Sequence, residues 1–237
     1  MKIGIMQPYF VPYIGYWQLM NAVDKYVIYD DVNYINRGWI NRNRILVNGK
    51  PTYFNIPMIG ASQNKLINQV GVNNDEKLII KNLRCIEGAY KKAPNYSEVY
   101  PLIEKILRSG KKNISEYIAD SFYVINSYLG IKTELIMSST LKKDCSLKGQ
   151  DKIIAICEEL GATEYYNAIG GQGLYTFEEF SNHNIELKFV KPAECYYEQF
   201  GGEFQSNLSI VDVMMFNPKE KVRQFLENYT LINNGSV

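Results

Sequence analysis

Histidine is almost missing from this chain: His183 is the single one in 237 residues. That excludes a histidine-rich metal site, and a Ser-His-Asp triad would have to use His183. The stretch Ser181-Asn182-His183-Asn184 reads as an exposed helix-to-strand turn, so acid–base chemistry falls to Asp, Glu, Tyr, Lys or Cys. Neither sign of charge dominates. The 26 basic and 25 acidic residues leave a net charge of +1, without the global basic field that nucleic-acid binders use. No apolar run reaches the roughly 18 residues of a membrane span. The chain opens on a strand, with no basic segment, apolar run and small-residue cleavage site. We therefore expect a cytoplasmic protein with no nucleic-acid partner and no membrane insertion. Cysteine is sparse and scattered (Cys85, Cys145, Cys157, Cys195). Without a CxxC pair these read as reduced thiols, and no metal is expected.

The unusual composition figure is tyrosine, at 19. A tyrosine combines a flat apolar body with a polar tip, and five of them cluster at Tyr9, Tyr13, Tyr16, Tyr29 and Tyr34. The first forty-four residues read as a strand over 2–6, a rigid turn from Gln7 to Gly15 set by Pro8 and Pro12, a helix over 15–23 and a second strand over 25–29. This strand–helix–strand opening predicts a parallel crossover. Asn48-Gly49 predicts a two-residue hairpin between strands at 44–47 and 52–57. Helices are predicted over 75–89, 100–107 and 115–129, with Pro94 and Pro101 punctuating and Gly130 capping. After Gly130, strands at 132–137, 163–168 and 185–190 alternate with helices at 150–160 and 177–182. Asn217 as cap and Pro218 as first residue predict a last helix, and 233–237 reads as a frayed tail. The expected fold is α/β: a parallel-rich, Rossmann-like sheet flanked by helices, with a helical block in the middle and a small β-hairpin. Residues 1–237 read as one domain, with 75–130 as a helical sub-lobe beside the sheet or on one face of it.

Parallel sheets place ligands beyond the carboxyl ends of their strands, so the candidate site lies in the turns there. Gln7 leaves the first strand toward that end. Asp30 and Asp31 end the second strand, and alternation allows only one of them into a given pocket; either could accept a proton, or they could form a solvated turn. Arg37, Trp39, Asn41, Arg42 and Arg44 make the densest polar and aromatic group, suited to a diphosphate or carboxylate and to stacking on a base or sugar. The competing reading is a surface loop whose arginines pair with acids. Ser138, Ser139 and the lysines after them resemble a phosphate-holding loop. Gly171 and Gly173 belong to a glycine-rich turn ahead of a helix, though without a full GxGxxG. Asp212, in an apolar stretch, reads as a capping acid, and Glu194 is a further acid. Asp31→Asn or Arg42→Ala is expected to remove ligand binding with little change in melting temperature.

The segments QPYFVPYIGYWQL (7–19), YDDVNYINRGWINRNRI (29–45), YKKAPNY (90–96), LGIKTELIMSS (129–139), ICEELGATEYYNAIGGQGLY (156–175) and LSIVDVMMFN (208–217) together resemble the WbqC-like protein family. The resemblance spans nearly the whole chain in motif order. Two departures stand out: Asn36 replaces an expected lysine, and Gly170-Gly171-Gln172-Gly173 replaces a GPAGK-like turn. The resemblance implies a bacterial protein of O-antigen and other surface-polysaccharide gene clusters, proposed to decorate an amino sugar with a glycyl or other acyl group. The implied small-molecule partner is a sugar nucleotide. The implied acyl donor is a carrier-protein thioester, coenzyme A or an adenylate, with Cys145 and Cys157 as candidate acyl-holding thiols or simply structural cysteines. The opening also resembles nucleotidylyltransferases of the HIGH-motif superfamily, including its pantothenate synthetase branch, but Gly15-Tyr16 stands where they carry Gly-His. Two function classes follow: a transferase, or a non-catalytic binding or scaffold protein of the same pathway.

Overall fold

The computed structural model describes residues 1–234. The chain begins with β1 (Lys2–Met6), α1 (Ile14–Asn21) and β2 (Lys25–Ile28), followed by the hairpin β3 (Arg42–Val47) and β4 (Lys50–Asn55) and a small pair, β5 (Met58–Ile59) and β6 (Gly71–Val72). Three helices come next: α2 (Glu76–Tyr90), α3 (Tyr96–Leu107) and α4 (Ile114–Leu129). Then β7 (Glu134–Met137), α5 (Gly149–Glu159), β8 (Glu164–Ala168), α6 (Phe177–Asn182) and β9 (Glu186–Pro192) alternate. The described chain closes with α7 (Ile210–Phe216), α8 (Lys219–Glu227) and β10 (Tyr229–Ile232).

Six strands form one sheet in the order β10-β9-β8-β1-β2-β7. All neighbours are parallel except β10, which runs antiparallel to β9. Side chains alternate across the sheet as a pleat requires. Ile3, Ile5, Val27, Tyr165, Leu187 and Phe189 face a core completed by α5 and α6. Tyr26, Ile28, Tyr166 and Val190 face the other, larger core, which includes α1, α4, α7 and α8. Both faces of the sheet are therefore covered, the usual condition for parallel strands. The helical block α2–α4 shares that larger core without a break, through Leu83, Ile86, Val99, Ile103 and Phe122.

Local signals explain most element ends. Asn48 and Gly49 take φ of 50° and 73°, so both central hairpin residues are left-handed, as a type I′ turn needs. Asn113 caps α4 by accepting from Ser115 N at 2.8 Å, and Gly130 ends it at φ 74°. Two expectations need correction. Pro101 does not separate helices: it lies inside α3, where its missing N–H costs one helical bond. Asn217 does not start the last helix. It closes α7, its side chain donating to Val213 O at 2.8 Å, and Pro218 caps α8. The sequence reading also lacks β10, whose four residues follow a helix too closely to show a period. Of the expected tail, Gly235 to Val237 lie outside the described residues. No described helix is long and apolar enough to cross a membrane.

Candidate active site

The turn after β1 is tightly held. Val11 takes φ 36°, a strained value for a β-branched residue. Its neighbours are fixed by hydrogen bonds. Phe10 N donates to Trp39 O at 3.1 Å, Asn43 Nδ2 to Phe10 O at 3.0 Å, Ser209 Oγ to Val11 O at 2.6 Å and Trp17 Nε1 to Pro12 O at 3.0 Å. Gly15 follows because nothing larger fits: a Cβ there would lie 2.5 Å from the Tyr13 ring and 2.7 Å from Pro192. The result is a fixed row of rings. Tyr9 and Tyr16 have centroids 5.7 Å apart, and the Tyr16 hydroxyl donates to Gln7 O at 2.9 Å.

Two cavities flank Tyr9. The first, about 560 Å³, lies between the carboxyl ends of β1 and β8. That is where the strand order reverses, the position at which doubly wound sheets bind ligands. Gln7, Tyr9, Tyr29, Asn167 and Tyr175 line it, together with Gly149 and Gln150 of the α5 start and Gly170 and Gly171 of a 3-10 turn at Ile169–Leu174. The Asn167 amide is locked, donating to the Tyr165 hydroxyl and accepting from Ala168 N, both at 2.6 Å. Burial raises the pKa of Tyr9 and Tyr175 above the phenol range, and burial with the nearby Asp31 charge does the same for Tyr29, so all three stay neutral.

The second cavity, about 390 Å³, sits on the other side of Tyr9 and is ringed by Tyr13, Tyr16, Trp39 and Arg44. Met6, Tyr9 and Ala168 line both cavities and form their common wall. A further depression of about 530 Å³, including Thr163, Asn184 and Glu186, lies at the opposite, amino end of β8 and β9, away from these groups.

Asp30 and Asp31 both lie just past the end of β2 and enter two separate networks. The buried Asp30 carboxylate accepts from Ser139 N at 2.9 Å and Ser139 Oγ at 2.7 Å, tying β2 to the turn after β7. Asp31 instead pairs with two lysines: Lys143 Nζ at 2.9 Å and Lys152 Nζ at 3.1 Å, whose side chains are 2% and 7% exposed. Lys143 also donates to Ser138 O, and Lys152 donates to Asp31 O at 2.9 Å while lying 5.1 Å from the Tyr29 ring centroid. Burial alone would raise the Asp31 pKa; the Ser138 hydroxyl and the two ammonium groups together outweigh it and hold the carboxyl below its ordinary range. Asp31 Oδ1 and Ser138 Oγ are buried without a hydrogen-bond partner that meets normal geometry. The lysines arrive from different elements, Lys143 from the loop after β7 and Lys152 from the first turn of α5. The serine–lysine string pointed to Lys143. Lys152 carried no local signal.

The remaining sequence-chosen residues are spread out. Tyr34 is buried and donates to Asn41 Oδ1 at 3.0 Å, while Asn41 donates to Ile56 O at 3.1 Å. Arg42 holds its own loop: Nε donates to Gly38 O at 3.0 Å, Nη2 donates to Arg37 O, and the guanidinium lies 4.4 Å from the Tyr53 ring centroid. Arg37 is exposed, with φ 59°. Tyr34, Arg37, Asn41, Arg42 and Gly173 line neither cavity, whereas Trp39 and Arg44 line the second and Gly171 the first.

Asp212 is not a helix cap. Its buried carboxylate accepts from the Tyr90 and Tyr197 hydroxyls, each at 2.7 Å, and from Gln199 Nε2 at 2.9 Å. Burial raises its pKa despite those donors. Glu194 accepts from the exposed Tyr196. His183 lies in the turn after α6, its Nδ1 2.7 Å from Glu158. The four cysteines are free; Cys157 is fully buried, which pushes its thiol up to about 12, and Cys145 is exposed.

Comparison with known proteins gives the family. An uncharacterised protein of Mycobacterium tuberculosis is 25% identical over 228 residues, covering 95% of this chain and 97% of that protein. No solved structure matches. The model of the WbqC-like protein family matches residues 7–224, from the aromatic turn into α8, and the chain therefore belongs to the WbqC-like protein family.

Proposed function

We propose that this protein is a transferase that attaches an aminoacyl (glycyl-like) or other acyl group to the amine of a nucleotide-linked amino sugar during assembly of a bacterial surface polysaccharide such as O-antigen. The observation that carries this reading is the pair of cavities with a common wall at Met6, Tyr9 and Ala168. Two substrates lodged in them would meet at Tyr9. The nucleotide belongs in the first cavity, where the glycine turn and the backbone start of α5 suit phosphate oxygens. The neutral Tyr29 and Tyr175 rings offer faces and hydroxyl donors to sugar and base.

The acids are less free than a proton acceptor should be. Asp30 is held by Ser139, and Asp31 is ionised, paired twice and weakly basic. We assign Asp31 to positioning: it fixes the loop after β7 and the first turn of α5 around the cavity mouth. The same observation favours a second reading, a protein that binds a sugar nucleotide without transforming it.

Mass spectrometry of the purified protein with nucleotide-linked amino sugars and candidate donors (carrier thioester, acyl-coenzyme A, or amino acid with ATP) separates them. Acylated sugar nucleotide supports the transferase. Saturable binding with no product from any donor supports the second reading. Absence of binding defeats both.

A further inference from the structure

We infer that the second cavity is a recognition site for a small organic carboxylate carrying an apolar or aromatic body. Arg44 is the reason. It forms no ion pair among the described residues, and no Asp or Glu lines the cavity. Its Nε is buried with no hydrogen-bond partner, and its Nη2 makes one long bond, 3.4 Å, to Asn207 O. A guanidinium that lines a half-open cavity and keeps unused donors is suited to an anion from outside the protein, because leaving a buried donor unsatisfied is costly.

The walls select the anion. The Arg44 Cζ lies 5.6 Å from the Trp39 ring centroid, a cation–π contact that helps to hold the fork in place. Tyr9 and Tyr13 supply further ring surface, and neither hydroxyl is used in a hydrogen bond among the described residues. Burial keeps both phenols neutral, as donors. Among the described residues, no lysine, second arginine or glycine-rich turn lines this cavity. A phosphate carries nearly two charges and calls for more donors than one guanidinium provides; a carboxylate carries one and fits the fork. At about 390 Å³ the space suits a compact acid with a ring or short chain.

The transferase reading lodges its second substrate in this cavity, but carboxylate binding is inferred from Arg44 and the walls alone. Only the further assignment of this acid as the acyl donor, or as part of it, rests on that reading. Trp39 lines the cavity and Trp17 is fully buried elsewhere, so ligand-dependent quenching reports on Trp39. The wild-type protein is titrated with benzoate, phenylacetate and hexanoate, with benzamide as the uncharged match, and with inorganic phosphate and uridine monophosphate as competing anions. Calorimetry gives a second readout. Saturable carboxylate binding, at least tenfold weaker in Arg44→Gln and severalfold weaker in Arg44→Lys, is the expected result. Melting curves of both variants show that they are folded. Equal binding of benzamide, undiminished binding by Arg44→Gln, tighter binding of either phosphate compound at this site, or no binding by about 10 mM would each overturn the inference. Because no turnover is needed, carboxylate binding without acyl transfer would count against the transferase alone. Transfer without carboxylate binding would count against this site alone.

Discussion

Asp31→Asn tests the central clamp. The substitution keeps the shape and one acceptor oxygen but removes the charge that two almost completely buried ammonium groups face. Asp30 cannot replace it, since its carboxylate is engaged by Ser139 and lies within ion-pair distance of neither lysine. Breaking a buried pair on one side typically costs about 3–5 kcal/mol, because the surviving charge is stranded. Asparagine's remaining acceptor puts the variant at the low end, ~3 kcal/mol. For a chain of this size that is a fall in melting temperature of roughly 6–12 °C. This reverses the expectation from sequence that Asp31 is thermally silent. The pH dependence has a definite sign. The folded pKa is depressed, so the contribution is complete above the ordinary Asp value and fades as pH falls from there through the folded value. The variant should therefore lose most at neutral pH and converge on wild type in acid. Thermal melts by circular dichroism between neutral pH and pH 3 measure both. A neutral-pH melt within about 2 °C of wild type would refute the argument, since it would show that the lysines reach solvent at little cost.

Ser139→Ala removes the hydroxyl donor to Asp30 Oδ2 and should cost about 1.5–3 kcal/mol in guanidinium unfolding, the range for a hydrogen bond to a charged group. Gly130→Ala places a Cβ 1.9 Å from Arg223 Nη2 at φ 74°, and should lower stability by more than about 1 kcal/mol while leaving ligand binding intact. With Ellman's reagent, Cys145 should react fast and Cys157 only on unfolding. Fast labelling of the Cys145→Ser variant at Cys157 would show that α5 opens readily.

Much of the fold can be read locally because the signals are local. Asn48-Gly49 sets its hairpin by backbone preference, Gly130 stops its helix, and the alternation after residue 130 gives β7, α5, β8, α6 and β9 within a few residues. The site is harder. The aromatic turn and Gln7 lie where a first-strand turn must put them. The functions of the arginines depend on contacts that sequence spacing does not encode. Arg42 points into its own loop and Arg44, two residues along the same strand, borders a cavity. Lys152 looks like any surface residue of a helix. Only the tertiary approach of α5 to the end of β2 pairs it with Asp31. Asp212 lies in the first turn of α7, where Ser209 is the cap, and the two tyrosine donors come from positions 90 and 197, distant in sequence.

The placement of β1 between β2 and β8 has a bearing on synthesis. Its register with Lys25–Ile28 can form as soon as the first forty residues or so emerge, but its other flank waits for Glu164–Tyr166. Until that segment leaves the ribosome, β1 presents a bare, apolar strand edge to the cell. Nascent chains stalled before residue 164 should consequently depend on holdase chaperones and aggregate when these are withdrawn, whereas release past β9 gives the edge its native neighbour.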